Sequence, residues 1–485
     1  MPIHSELLNE VRIRKEQEIK LTDFTSNKAL INVALTYPSP YTIAMSSLGY
    51  QTIYNHFNQI NGVNCERAFL PDNITLYKNK KTKIFTYESE RELDKFDIVA
   101  FSIAYEIEFT GILDVLSLSN IPFLAEDRNQ KYHPLIIGGG PITFSNPLPV
   151  GTFFDVILLG EAEELIDILI EQYKEIKDRK KLLEKLSEIC GFYVPSIHKN
   201  NLPGIAKANT EKLPAHSVIL TPNTELSNMF LIEAERGCSR GCTFCVMRRS
   251  TNNGMRIFPI DLILSKIPDK VKKVGLVGAA VSDHPKIVNL LEELVINRKK
   301  QIGISSLRAD RLNARFVELL ALGGYRTLTV ASDGPSERLR ALMEKRIKEK
   351  DIIKSAEFAK EFKLKYLKLY QMIGIPTETD NDIDELIDFT IKVSKITKTA
   401  MGISPFVPKK NTPLSDKEFE GIKSIEEKIK KINKALGKYI DVRTTSAKWA
   451  WIEYKLAKGS YETGFSIIKA HSMGANFSAW KNSFE

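Results

Sequence analysis

Short apolar runs alternate with helix-patterned segments along most of this chain, and that alternation limits its fold more than any other feature. Strand-like runs lie at 29–37, 62–70, 97–104, 133–137 and 154–159. Helical spacing of apolar residues at 44–59 and 111–118 falls between them, and Glu161, Glu163 and Glu164 give a further helix the acidic start its dipole favours. Parallel strands need crossover helices, so this order predicts a parallel, doubly wound sheet with ligand sites at the carboxyl ends of its strands. Residues 195–225 mix Pro, Asn, Lys and Thr without periodicity and read as a linker. A second alternation follows, with strands at 229–233, 274–277, 303–306, 326–331, 366–372 and 401–406. Six such repeats predict an α/β partial (β/α)6 barrel. The expected division is an N-terminal extension 1–28, a doubly wound domain 29–195, a linker 196–225, a barrel core 226–415 and a helical, basic C-terminal region 416–485.

Composition narrows the partners. The chain has 485 residues, 43% hydrophobic and 27% charged, which is a globular composition and excludes extended disorder. The longest apolar stretch, 98–118, is interrupted by Glu106 and Glu108, so no membrane span is expected. Charges at Glu6, Glu10, Arg12, Arg14, Lys15 and Glu16 leave the first residues without a signal-peptide core, so the expected location is cytoplasmic. Lys and Arg exceed Asp and Glu by 69 to 60, but the excess is scattered rather than gathered on one face. A nucleic-acid partner is therefore not favoured.

Cysteine usage points to chemistry. Of five cysteines, Cys238, Cys242 and Cys245 fall within eight residues with the spacing C-x3-C-x2-C. Three thiolates in one loop can hold three irons of a cubane cluster and leave the fourth open to a ligand. A structural zinc site would recruit a fourth Cys or His, and the nearest histidines in sequence are His216 and His284. Cys65 and Cys190 are expected to be buried thiols. His284, after the second barrel strand, is either a substrate-facing residue or a surface loop histidine.

This loop, with the aromatic Phe244 just before its last cysteine and a place after the first strand of a six-fold β/α unit, resembles that of the radical SAM superfamily. The resemblance implies that Cys238, Cys242 and Cys245 bind a 4Fe-4S cluster whose open iron chelates S-adenosylmethionine. One electron, from a reductant such as flavodoxin or ferredoxin, then cleaves the sulfonium to a 5′-deoxyadenosyl radical. Gly278-Ala279-Ala280, Ser305-Ser306-Leu307-Arg308, Ser332-Asp333-Gly334 and Gly374-Ile375-Pro376-Thr377-Glu378 stand where the family binds S-adenosylmethionine. The implied contacts are Phe244, Gly278, Ala279, Ser306, Arg308, Ser332 and Ile375. One departure is that the family's Gly-Gly-Glu-like turn has no Glu here. Ser404-Pro405-Phe406-Val407-Pro408 echoes methylthiotransferase-like members.

The first domain is similar to the Rossmann-like, cobalamin-binding-type domain that precedes many radical SAM cores. The similarity lies in Gly138-Gly139-Gly140-Pro141, Asn146-Pro147, Phe154-Asp155 and Gly160-Glu161-Ala162-Glu163. The D-x-H-x-x-G cobalt-ligating motif is absent, so the resemblance leaves cobalamin open. The reading it favours is a cobalamin-dependent C-methyltransferase. The rivals are a cobalamin-independent enzyme that modifies RNA or protein and a non-catalytic iron–sulfur protein.

Overall fold

A computed structural model describes residues 4–22, 30–247 and 254–485. The expected strand start at Ala29 and residues 1–3 and 23–28 of the expected extension lie outside the described residues. The chain divides into two compact units, one formed by Met1–Met229 with Lys458–Glu485 and the other by Phe230–Ala457.

The first unit is built on β2 (Ile31–Tyr37), β3 (Val63–Phe69), β4 (Ile98–Ser102), β5 (Leu135–Gly139), β6 (Val156–Leu158) and β7 (Phe192–Tyr193), in the order β3-β2-β4-β5-β6-β7. All neighbours are parallel except β6 and β7. β2 and β4 are buried on both faces, which is why they read as unbroken apolar runs rather than alternating ones. The strand order reverses at β2, so the crevice between the carboxyl ends of β2 and β4 is the topological switch point. Helices Leu48–Gln59 and Phe109–Leu118 carry parallel crossovers, and Glu163–Glu175 follows β6 on the way to its antiparallel neighbour β7. The first is started by Ser47, whose hydroxyl accepts the Tyr50 N–H at 3.3 Å.

Two stretches depart from expectation. The N-terminal extension contains helix Ser5–Glu16, whose Leu7 and Val11 are buried in the core of this unit. The stretch read as a linker is packed: β8 (Ile219–Leu220) pairs antiparallel with β1 (Ile19–Lys20), and Val218 and Ile219 donate to Gln51 Oε1 at 3.0 and 3.1 Å. Both stretches are held by partners far away in sequence, which local periodicity does not register.

The second unit is the partial barrel. β9 (Met229–Glu233), β12 (Lys273–Val277) and β13 (Gln301–Ile304) form one sheet in the order β13-β12-β9. β14 (Thr327–Ala331), β15 (Tyr366–Ile373), β16 (Thr399–Pro405) and β17 (Asp441–Thr444) form another, all parallel. Between β9 and β12 runs an antiparallel hairpin of β10 (Glu235–Gly237) and β11 (Met255–Ile257), and the cysteine loop lies between its arms. β17 was not anticipated because only Val442 of its four residues is less than exposed. The residues expected as one helical C-terminal region serve both units: helix Ile422–Leu436 belongs to the barrel, whereas Thr463–Ser472 and Phe477–Phe484 belong to the first unit. Among the described residues no helix is long and apolar enough to cross a membrane.

Candidate functional site

The cysteine loop is fixed at both ends and in the middle by backbone bonds. Cys238 N–H donates to Gly254 O at 3.2 Å, Thr243 N–H to Met343 O at 3.0 Å and Cys245 N–H to Cys242 O at 3.2 Å. Arg240, between the first two cysteines, forks onto Asp283 at 2.7 and 2.8 Å, and Arg311 reaches the same carboxylate at 3.1 Å. Asp283 sits in the turn after β12, so this bidentate pair ties the loop to the second barrel strand. Cys242 is 8% exposed. Burial raises the Cys238 and Cys245 thiols above their ordinary values, and the neighbouring thiols push the same way. Among the described residues no three His, Cys, Asp or Glu side chains converge for a single ion, so the loop offers three separate sulfur ligands.

The loop opens onto a cavity of about 320 Å³ at the carboxyl ends of the strands. Cys238, Cys242, Cys245, Phe244, Ala279, Ser306 and Arg308 all line it. Of the other expected contacts, Gly278 is behind the turn, its carbonyl accepting the Ser305 and Ser306 hydroxyls at 2.9 and 3.0 Å. Arg308 is committed to Asp310 at 3.0 and 3.2 Å and to Lys345 O at 3.1 Å. Ser332 is buried, donating through its backbone to Tyr370 O at 3.1 Å. Ile375 is 3% exposed and packs with Leu339, Met343 and Phe406, in an apolar cluster that Phe244 also covers. Ile375 is therefore outside the cavity lining.

His284 is neither substrate-facing nor on the surface. It is buried, with Nε2 3.1 Å from Phe258 O and Nδ1 accepting the Lys286 N–H at 3.2 Å. Burial lowers its pKa, so it is a neutral, fully bonded ring.

Several cavity residues escaped the sequence reading. Tyr370 projects from β15 on the side opposite buried Leu367, Leu369 and Ile373, and a Cβ at Gly402 of the adjacent strand would stand 2.9 Å from its ring. The alternation along β15 carries that signal. Tyr325 receives the Ile304 N–H at 2.7 Å and donates to Ile304 O at 3.0 Å. Lys345 pairs with Asp333 at 2.5 Å. Outside the lining, buried Glu235, on β10, was also missed, because the Ala280 N–H it accepts lies some forty residues on.

Family models bear directly on this arrangement. A model described as "Radical SAM proteins, N-terminal" matches residues 49–195, and that of the radical SAM superfamily matches residues 232–390, which contain the cysteine loop and the turns around the cavity. The chain belongs to the radical SAM superfamily. It is 30% identical over 425 residues to an uncharacterised protein of Methanocaldococcus jannaschii, covering 85% of this chain and 84% of that one. It is 23% identical over 316 residues to the ribosomal protein uS12 methylthiotransferase RimO of Bacteroides fragilis, 58% of this chain and 72% of that protein. Its fold is that of the cobalamin-dependent S-adenosylmethionine radical enzyme OxsB, with a TM-score of 0.55, 15% identity and 84% of this chain covered; the chain spans 56% of that longer one. Membership of the radical SAM superfamily brings a 4Fe-4S cluster and S-adenosylmethionine. The donor set fits: Cys238, Cys242 and Cys245 are three thiols of one loop that all line the same cavity.

Proposed function

We propose that Cys238, Cys242 and Cys245 ligate three irons of the cluster and that S-adenosylmethionine occupies the adjoining cavity. The observation that carries this is the convergence of the three cysteines, Phe244, Ala279, Ser306 and Arg308 on one space. When bound, the cluster and S-adenosylmethionine supply a radical able to take hydrogen from an unactivated C–H bond. The chain's own part is positional. Arg240 and Asp283 hold the loop, Ser305 and Ser306 hold the Gly278 turn, and Phe244 with its apolar cluster shields one wall from water. The electron would come from a reductant such as flavodoxin or ferredoxin.

The subclass we favour is cobalamin-dependent methyl transfer to carbon. Supporting it are the shared fold and the loops after β2 and β4 at the switch point of the first unit, where Ile43, Tyr105 and Ile107 are 45–48% exposed. Such an apolar rim suits a large planar ligand. The test is anaerobic reconstitution with iron and sulfide, followed by S-adenosylmethionine, dithionite and cobalamin. 5′-Deoxyadenosine that disappears in Cys238→Ala supports the cluster assignment, and cobalamin that stays bound through gel filtration supports the subclass. A fully loaded cluster whose spectrum ignores S-adenosylmethionine would favour the non-catalytic rival. The similarity to the methylthiotransferase motivates the remaining reading, sulfur insertion into RNA or protein. That chemistry would call for a second cluster, for which only Cys65 and Cys190 remain of the five cysteines; salt-sensitive binding of RNA would favour this reading, and its absence would count against it.

A further inference from the structure

The inner face of a closed parallel barrel is ordinarily filled by branched apolar side chains. Here the face of β15 that meets the cavity carries Tyr366, Lys368 and Tyr370, while Leu367, Leu369 and Ile373 are buried on the opposite side. Their neighbours in register are small: Thr329 and Ala400 flank Lys368, and Ala331 and Gly402 flank Tyr370. Thr329, Ala331 and Tyr370 line the cavity with the three cysteines, so Lys368 stands one row deeper on the same face. The next strand, β17, adds Asp441 beside Ala400 and Arg443 beside Gly402.

The polar groups of this face are short of partners. Among the described residues the half-buried Lys368 ammonium makes no hydrogen bond or ion pair, and its neighbour is the Tyr370 ring, with Nζ 4.8 Å from the centroid. A lysine in that position gives up part of its hydration without a counter-charge to replace it. Tyr370 is 43% exposed, and its hydroxyl has no hydrogen-bond partner among the described residues. Gly402 lets the ring lie across β16, since a Cβ there would stand 2.9 Å from it. On the far side of Gly402, Arg443 meets only Asp441 among the described residues, at 3.1 Å, and its side chain is 79% exposed. Asp441 is the one acidic residue of β14 to β17, against the two cations Lys368 and Arg443. Two strands and two residues separate those cations, about 12 Å between Cα atoms, a span that two long side chains can close around one small anion.

We propose that this face seats an anionic group of the substrate, a carboxylate or a phosphate, with Lys368 and Arg443 supplying the opposite charge and the Tyr370 hydroxyl a further donor. This rests on the reading that radical chemistry takes place in the adjoining cavity, to which a substrate anchored here would present its neighbouring C–H bonds. The experiment uses protein with its cluster oxidised, so that no turnover occurs, and reads the reactivity of Lys368 itself. Lysines are pulsed with acetic anhydride and their modification is measured by peptide mass spectrometry, with exposed Lys365 as the internal reference. The probes are succinate, inorganic phosphate and neutral succinamide, all at one ionic strength set with sodium chloride. Succinate, phosphate or both should slow the labelling of Lys368 at least about threefold relative to Lys365, as an occupancy of about two-thirds gives. Protection by succinate alone identifies a carboxylate, and by phosphate alone a phosphate. Succinamide should give none, and Arg443→Gln, a change at an exposed side chain, should at least halve the protection. Labelling of Lys368 that responds to neither anion more than Lys365 does overturns the proposal. So does equal protection by succinamide, or full protection kept in Arg443→Gln. Failure of the same cluster-loaded protein to bind S-adenosylmethionine overturns the cavity assignment instead, a distinct result.

Discussion

Glu378 and Glu235 are both buried beside turns at the carboxyl ends of barrel strands, yet one is fully partnered and the other leaves Oε2 without a hydrogen-bond partner among the described residues. Glu378 receives the Gly374 N–H at 3.0 Å on both oxygens and the Ile375 N–H at 3.3 Å, and Lys428 meets it at 2.6 Å. It is a structural clasp that fixes the turn after β15. Replacing it by Ala leaves two backbone donors unmet, although Lys428 keeps Glu420. Glu378→Ala is expected to cost about 2–3 kcal/mol, read as a fall of about 4–12 °C in Tm. Glu235 predicts a pH effect of definite sign. Its folded pKa is raised from 4.5 to about 7, so across that window the folded state holds a proton that the unfolded state has released. Stability therefore falls as pH rises through the window. Cluster-free Glu235→Gln should lack that decline, so melting both proteins at pH 5 and pH 7.5 should show a larger drop for the wild type. The Gly-x-Pro-x-Glu string was legible, but as a segment standing where the family binds S-adenosylmethionine; that Glu378 clasps the turn depends in part on Lys428, fifty residues on. The Glu235 seat was not legible, since pairing it with Ala280 requires knowing that β10 lies against the turn after β12.

At the scale of elements, the cysteine loop, the barrel strands and their helices could be read from local pattern, because burial on one side imposes period two on strands such as β15 and turn chemistry marks their ends. What escaped were elements that exist only through distant partners. Two-residue strands such as β1 and β8 are too short to carry a period at all. The charged segment leading into β1, read only as an extension, ends in Glu18, buried against Arg67 of β3 at 2.7 and 2.8 Å and bonded by the Tyr41 hydroxyl at 2.7 Å. Arg67 also holds Glu88 at 2.7 Å, so the N-terminal segment is clamped onto the sheet edge by a buried ionic group. Removing Glu18 leaves Arg67 to Glu88 alone and strips two buried guanidinium N–H donors and the Tyr41 hydroxyl of their acceptor. Glu18→Ala should destabilise the first unit by about 3–5 kcal/mol, measurable as a lower urea midpoint for that unit's transition. A loss below about 1 kcal/mol would mean that water reaches the pair and that the clamp carries little of the fold's stability.

At the scale of the whole molecule, two α/β units of different closure follow from one alternating pattern, because both obey the same parallel-crossover rule. The pattern did not disclose that the C-terminal segment completes the first unit, where Asn146 donates to Gly459 O at 2.7 Å and His471 meets Asp114 at 3.0 Å. Those contacts join residues hundreds of positions apart, and no local signal anticipates them. The same unit carries the proposed cobalamin site, and its histidines allow a sharp expectation. His56 is paired with Asp167 at 2.9 Å, and His133 accepts the Asn129 N–H at 3.0 Å. Both are already bonded, and neither they nor His4, His198, His216 and His471 of the same unit lie in a D-x-H-x-x-G context. Cobalamin held by this unit should therefore have no histidine on cobalt. The check is the electron paramagnetic resonance of the bound, one-electron-reduced cofactor in protein grown with ordinary or ¹⁵N-labelled histidine. Identical spectra are expected, because no histidine nitrogen would couple to the metal. A change in hyperfine splitting on labelling would place a histidine on cobalt and require one of these side chains to leave its present partner.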